Sequence, residues 1–191
     1  MKLKFAGIFL ATFAILTALW SSIDFGDLYR TAVLTGAQVL SPILHGWFLE
    51  FDVPGLEGAA VFKRGGENLP MALQLPALSM GVLPLSSLII ATPGQTWQRA
   101  MIAAVAGCVL YYFVDVFVVS IYPLFMDQRM GGAPQTFVNV IKDTVGVFSG
   151  LLAFVVAPLA IWFVLTYRAL QSVWQLTPTA VAEPKRRRGG K

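Results

Sequence analysis

Long apolar runs separated by short polar stretches dominate the chain, and four of these runs match a transmembrane helix. A helix needs roughly 20 mostly apolar residues to cross the hydrocarbon core of a bilayer. The predicted spans are 5–20, 71–91, 100–125 and 145–167. Prolines inside the second and fourth spans predict kinked helices, because proline removes a backbone donor and neighbouring groups must satisfy the freed carbonyl. The pattern predicts an all-α membrane protein with four transmembrane helices.

The first predicted span, 5–20, also has features of a secretory signal peptide. Lys2 and Lys4 precede it and an apolar stretch follows, which is the order found in signal peptides. However, the bulky Trp20 stands where small residues should precede a cleavage site. We therefore favour an uncleaved membrane anchor.

The segment 31–49 carries no formal charge, but its pattern differs from that of the four spans. Its polar residues recur at spacings of four, three and seven, which places them on one stripe of a helix. These polar residues are Thr31, Thr35, Gln38 and His45, opposite Val33, Ala37, Leu40, Leu44 and Trp47. The stripe predicts an amphipathic helix in the membrane interface or against the bundle, although the segment is also long enough to span. Pro42 is expected to bend or end this helix.

The outer segment 21–70 also contains a strand pattern. Residues 47–53 alternate between two faces, the turn signal 54–58 follows, and 59–62 reads as a short return strand before a second turn at 63–68. The pattern predicts a small extracytoplasmic β-hairpin or meander, which is not stable by itself. We expect it to contact the 31–49 helix, the membrane surface or a partner through its aromatic residues Trp47, Phe48, Phe51 and Phe62.

Basic residues set the predicted orientation. With four spans, Lys2, Lys4, Arg99, Arg168 and the basic tail all fall on one side, which the positive-inside rule makes cytoplasmic. Both termini are then cytoplasmic, with a membrane domain at 1–176 and a disordered basic tail at 177–191. The tail lacks interleaved aromatic residues, so it predicts contact with anionic lipid rather than with nucleic acid.

Composition supports a multi-pass membrane protein and limits its chemistry. Hydrophobic residues make up 57% of the chain and charged residues 13%, whereas soluble domains have about 25% charged residues. One cysteine, Cys108, and one histidine, His45, exclude an intramolecular disulfide and a metal site built from His and Cys. A haem bound through the single imidazole of His45 remains an alternative, but we expect no cofactor.

Asp115 is the main candidate for function, because it is the only formal charge in the apolar run from Met101 to Phe125. A charged group at mid-membrane depth is costly and marks a functional hypothesis. Tyr111 and Tyr112 precede it at helical spacings, and Cys108 lies on the same face. We expect Asp115 to contact a partner or to accept a hydrogen bond from a Tyr or Ser hydroxyl. A proton or ion pathway is the alternative.

Small residues mark the predicted helix crossings. Gly146 and Gly150 form a GxxxG motif, and Ala103 with Gly107 forms a second pair of small residues at the same spacing. No phosphate loop, dinucleotide fingerprint or nucleophile motif is present. A Cys108–His45 dyad is not expected, since the predicted topology puts the two residues near opposite sides of the membrane.

The order of these features resembles a known family. A short anchor ends in Ala18-Leu19-Trp20, and the outer segment carries Phe51-Asp52-Val53-Pro54-Gly55-Leu56-Glu57-Gly58. A proline-rich span, the turn at 91–99 and two further spans with a basic end follow. This layout looks like the small membrane proteins associated with exosortases in Gram-negative bacteria. The resemblance implies an accessory to a sorting enzyme and assigns no functional residue.

The sequence therefore predicts a non-catalytic accessory subunit of a bacterial inner-membrane complex, with a larger integral membrane protein as partner. The predicted contact residues are Asp115, Tyr111, Tyr112, Gly146, Gly150, Trp47 and Phe51. A small proton-coupled transporter or channel component is one alternative, and a subunit of a pigment or respiratory complex is another. An enzyme that uses Asp115 or Cys108 has the least support.

Overall fold

The computed structural model describes residues 2–51, 59–72, 81–130 and 152–174. The helices are α1 (Lys2–Ser22), α2 (Phe25–His45), α3 (Val82–Ala91), α4 (Trp97–Met130) and α5 (Ala157–Trp174), with a π-helical turn (Leu152–Val156) before α5. The strands are β1 (Phe48–Phe51), β2 (Ala59–Arg64) and β3 (Glu67–Ala72). The fold is mainly helical with one small sheet, and the predicted tail at 177–191 lies outside the described residues.

Three helices of the described part are long and apolar enough to cross a membrane. Their apolar stretches are Lys4–Ser22 in α1, Trp97–Leu124 in α4, and Phe154–Gln171, which includes the end of the π-helical turn and most of α5. The prediction of membrane helices in these three regions is confirmed by length and composition, and residues 145–151 of the fourth predicted span lie outside the described residues. These helices indicate a membrane protein.

The second predicted span, 71–91, is wrong at its start. Met71 and Ala72 belong to β3, where they pair with Ala60 and Ala59 of β2. In the sequence, a short apolar run fits a strand as well as the beginning of an apolar helix. Here the neighbouring strand β2 is available for pairing, so the run forms a strand. Helix α3 itself has ten residues, and residues 73–80 lie outside the described ranges. The fourth transmembrane span therefore remains a prediction.

Helix α2 follows α1 after a tight turn and is shifted relative to the predicted 31–49 helix. Asp24 adopts the left-handed conformation at this turn, with φ 49°, so α2 begins at Phe25. It ends at His45 because Gly46, at φ 76°, donates its N–H to the carbonyl of Pro42 in a glycine cap. Pro42 lies in the last turn of the helix, so the expectation that the helix ends near it is confirmed.

The three strands form an antiparallel sheet in the order β1-β2-β3. Leu49, Phe62 and Leu69 lie side by side across the strands, and all three are buried. The turn between β2 and β3 uses Gly65 and Gly66, which both have positive φ. The predicted β-meander is therefore confirmed. Its position on the outer side of the membrane remains a prediction, and the predicted turn at 54–58 lies outside the described residues.

Two apolar clusters hold these elements together. The first joins α2, the sheet and the carboxyl half of α4 through Val33, Leu34, Ala37, Trp47, Leu49, Phe62, Val116 and Val119. The second joins α3, the middle of α4 and α5, with Trp20 of α1 at its edge. Phe48 points away from the first cluster and is 62% exposed, and its expected contact with the membrane surface or a partner remains a prediction.

The polar stripe predicted for α2 is wrong in part. Thr31 and Thr35 are exposed as expected, but Gln38 and His45 turn inward, where they bond the carbonyls of Leu49 and Ser120. Leu44, expected on the buried side, is exposed. Hydrogen-bonding partners on neighbouring elements, which the helical pattern does not reveal, determine this orientation.

Candidate functional site

Asp115 lies at the contact between α4 and α2. It is 1% exposed, and its Oδ2 accepts a hydrogen bond of 2.7 Å from the hydroxyl of Tyr29. The expected bond from a tyrosine hydroxyl is therefore found, with a donor inside the same chain. The other expectation from the sequence, a contact between Asp115 and a partner, remains a prediction.

Asp115 lies within the apolar stretch of α4, Trp97–Leu124, past its midpoint. Asp115 lies 18 residues after Trp97, or about 27 Å along a helix that crosses a core of about 30 Å. Its partner Tyr29 packs on Trp20, with ring centroids 5.7 Å apart, and Trp20 is two residues from the end of the apolar stretch of α1. Both observations place Asp115 in the part of α4 that lies at the same end of the bundle as the carboxyl end of α1, and its mid-membrane depth remains a prediction.

A close helix contact brings Tyr29 and Asp115 together. A Cβ on Gly36 of α2 would lie 2.6 Å from the Tyr112 hydroxyl and 2.7 Å from Cγ2 of Val116. The missing side chain at Gly36 therefore lets α2 approach α4 closely. Tyr112 also donates to the carbonyl of Ala32 at 3.3 Å, so it joins the two helices within the chain, and its predicted contact with a partner remains a prediction.

Two buried polar atoms beside this hydrogen bond have no partner within the described residues. They are Oδ1 of Asp115 and the hydroxyl of Tyr111, which lie one helical turn apart on α4. Tyr111 is fully buried, and its ring lies against Gly81, where a Cβ would overlap it. The Tyr29–Asp115–Tyr111 group is thus a compact polar site enclosed by apolar and small residues.

The hydroxyl of Tyr29 is held in its protonated, donating form. Burial, and then the negative charge of Asp115 together with its hydrogen bond, raise the pKa of Tyr29 above its ordinary value. Ionisation would place a second negative charge beside the carboxylate and would remove the donor. The Tyr29–Asp115 bond therefore persists well into the alkaline range.

His45 makes a second connection between α2 and α4. Its Nδ1 accepts the N–H of Trp47 at 3.3 Å, and its Nε2 lies 2.5 Å from the carbonyl of Ser120 and 3.3 Å from the hydroxyl of Ser41. This arrangement assigns the ring proton to Nε2, which donates to Ser120. Because both ring nitrogens are bonded, His45 has no free nitrogen for the axial-ligand role considered from the sequence.

Two further predicted contact residues, Trp47 and Phe51, pack within the fold. Trp47 is buried under the sheet with the Arg64 guanidinium 4.3 Å from its ring centroid, and Phe51 packs at the edge of the same cluster. Gly146 and Gly150 lie outside the described residues. Cys108 contacts the hydroxyl of Ser86 at 3.3 Å, in a different cluster from His45, which agrees with the expectation that they form no dyad.

Sequence reasoning missed Tyr29 and Gly36, the two residues of α2 that determine the site. The predicted helix began at Thr31, so Tyr29 fell outside it. A helix started at Phe25 would have placed Tyr29 one turn before Val33 and two turns before Gly36. The turn before Phe25 depends on the left-handed conformation of Asp24, which the sequence indicates only weakly.

The site holds one carboxylate and two tyrosine hydroxyls, which are hydrogen-bonding groups. Within the described ranges, no group of three His, Cys, Asp or Glu side chains is arranged to hold a metal ion. Comparison with protein-family models, with curated proteins and with solved structures finds no match to this chain.

Proposed function

We propose that this chain is a non-catalytic accessory subunit of a bacterial inner-membrane complex, multi-pass with both termini in the cytoplasm. The observation that carries the proposal is that buried polar contacts fasten the sheet and α2 to α4. Tyr29–Asp115, His45–Ser120 and Gln38–Leu49 each use a polar side chain to join two elements. Such contacts fix a small sheet that would be unstable alone.

The outward side of this sheet supplies the contact surface in this proposal. Phe48 is 62% exposed, and Lys63, its partner in the sheet register, forms an ion pair with Glu50 beside it. An exposed aromatic side chain rimmed by charged groups is typical of an interaction site. The partner we propose is a larger integral membrane protein with its own segment beside this sheet.

Helix α1 offers a second contact surface within the membrane. No residue of its apolar stretch is fully buried by the described fold, and its exposed side chains include Ile8, Leu10, Ile15 and Leu19. Lipid or a partner helix therefore covers most of α1. A protein sorting system of the exosortase type is the candidate complex, on the resemblance of layout given above.

Purification from the native host tests this proposal. We expect a tagged copy in gentle detergent to retain one larger membrane protein in stoichiometric amount, identified by mass spectrometry. Phe48→Ser should lose this protein, whereas Ile43→Ser, which alters an equally exposed apolar residue on α2, should retain it. A wild-type protein that elutes alone would overturn the accessory role, and equal retention by Phe48→Ser would overturn the sheet as the contact surface.

A proton-coupled transport component is the second candidate, and one observation favours it. Oδ1 of Asp115 and the Tyr111 hydroxyl are buried without partners among the described residues, as in a site that exchanges protons. This function requires pH-dependent flux across liposomes that Asp115→Asn abolishes. The absorption spectrum of the same preparation tests the pigment alternative, for which His45 has no free ring nitrogen.

A further inference from the structure

A groove lies between the amino end of α4 and the carboxyl half of α5, at the other end of the bundle from Asp115. Its volume is about 710 Å³, and Gln95, Arg99, Ala103, Ala106, Leu165 and Arg168 line it. Pockets for small ligands commonly have volumes of about 300–1,000 Å³. We name it the α4–α5 groove.

The groove is basic at one end and apolar along its length. Arg99 and Arg168 form no ion pair within the described ranges, and both are exposed. Nε2 of Gln95 is buried and lacks a partner among the same residues. Three donor groups thus face a space whose remaining walls are mainly Ala and Leu side chains.

Helical spacing explains why charge and apolar surface meet in this groove. Arg99, Ala103 and Ala106 follow each other at spacings of four and three, so they lie on one face of α4. Leu165 and Arg168 are three residues apart on α5, and they face the same space. The two alanines leave room that larger side chains would fill.

The groove also lies at the level of lipid headgroups. Trp97, two residues before Arg99, is 68% exposed, and Tyr167, next to Arg168, is 43% exposed. Exposed Trp and Tyr residues concentrate at membrane–water boundaries. Arg99 and Arg168 therefore reach the headgroup region, while Ala106 and Leu165 point toward the depth of the acyl chains.

We propose that the α4–α5 groove binds one anionic phospholipid from the leaflet on the side of the amino end of α1. The phosphate lies between Arg99 and Arg168, Gln95 donates to the headgroup, and one acyl chain follows the alanine wall of α4. Arginine matches phosphate through paired N–H donors, and the apolar wall distinguishes a lipid from a free anion. This site is separate from the predicted contact of the 177–191 tail with lipid.

Native mass spectrometry of the delipidated protein in neutral detergent tests the proposal, with phosphatidylglycerol and phosphatidylethanolamine as probes. We expect one phosphatidylglycerol to bind with preference over phosphatidylethanolamine. The double variant Arg99→Gln/Arg168→Gln should weaken phosphatidylglycerol binding by roughly thirtyfold, since each basic group near an anionic surface contributes about 1 kcal/mol. Lys4→Gln, which removes one positive charge on the same side but outside the groove, should change binding less than twofold.

Three results would overturn the proposal. Equal weakening by Lys4→Gln and the double variant would indicate diffuse attraction, and equal binding of both lipids would remove the need for an anion. Full competition by glycerol phosphate at the same concentration as lipid would identify a site for a soluble phosphate. Unchanged thermal unfolding of the double variant, measured by circular dichroism, ensures that lost binding does not reflect lost folding.

Discussion

The two ends of α4 are surrounded in opposite ways. Its carboxyl half packs against α2 and the sheet, and it buries Asp115, Val119 and Ser120. Its amino half faces the α4–α5 groove, with Ile102 and Val105 exposed and Arg99 free of ion pairs within the described residues. One helix thus supplies a closed polar site at one end and an open basic groove at the other.

The difference follows from the elements that pack against α4 at each end. In lipid, apolar side chains gain little by leaving the hydrocarbon for a helix contact, so association depends on close packing and hydrogen bonds. Where α2 and the sheet meet α4, Trp47 and Phe62 are buried, and Tyr29 and His45 form hydrogen bonds to α4. The closed end therefore combines apolar burial with hydrogen bonds, and substitutions there should cost the most.

The largest expected effect comes from the sheet that covers the closed end. Phe62 is fully buried against Tyr122 of α4, so Phe62→Ala should lower the free energy of unfolding by about 3–5 kcal/mol. Phe48→Ala on the outward side should change it by less than about 0.5 kcal/mol. Chemical unfolding in detergent measures both. Similar losses for the two variants would mean that the sheet does not cover α4.

The close contact of α2 with α4 is the next test. Gly36→Ala places a methyl group 2.6 Å from the Tyr112 hydroxyl and should cost about 2 kcal/mol, because the helices must separate. Gly7→Ala makes the same change in α1, where no atom lies within 4 Å, and should cost nothing. Thermal unfolding of both variants checks this, and an unaffected Gly36→Ala protein would contradict the packing of α2.

The sequence predicted the three long helices well, because apolar length is a local property. The position of α2 and the orientation of its side chains were less predictable. Gln38 and His45 belong to a regular polar stripe in the sequence, yet they turn inward toward Leu49 and Ser120. Their acceptors are backbone carbonyls, which no residue type in the sequence reveals.

The same limit applies to the site around Asp115. The sequence showed that Asp115 is an unusual charge in an apolar run, and it predicted a hydrogen bond from a Tyr or Ser hydroxyl. The partner itself, Tyr29, lies 86 residues away, and only tertiary packing identifies it. The start of the second predicted span failed for a similar reason, since the pairing of Met71 with Ala60 competes with the apolar helix pattern.

The Tyr29–Asp115 bond provides a smaller test with an internal control. Tyr29→Phe leaves Asp115 without its hydrogen bond and should lower the free energy of unfolding by about 1.5 kcal/mol. Tyr111→Phe removes a hydroxyl that has no partner among the described residues and should cost less than about 0.5 kcal/mol. A double-mutant cycle of Tyr29→Phe with Asp115→Asn should give a coupling energy of about 1 kcal/mol. Additive losses would show that the two residues do not interact.

Alkaline pH should weaken the closed end through the same tyrosine. Burial and Asp115 raise the pKa of Tyr29 above the ordinary value of 10.0, so the unfolded state loses this proton first. The stabilisation is complete below about pH 10 and falls as pH rises above it. At pH 11 the wild type should have lost about 1.4 kcal/mol more than Tyr29→Phe. Parallel pH profiles of unfolding for the two proteins would contradict this.

The smallest effect on stability is expected at the open end, at two adjacent residues. Ala106→Leu extends into the α4–α5 groove and should change the free energy of unfolding by less than about 0.5 kcal/mol. Gly107 faces α3, and a Cβ there would lie 2.8 Å from Cδ1 of Ile89, so Gly107→Leu should cost about 1–3 kcal/mol. Ala106→Leu should still lower phosphatidylglycerol binding, because it occupies the acyl-chain wall. A strongly destabilised Ala106→Leu protein would mean that the groove is closed, and the contrast between the two ends of α4 would then fail.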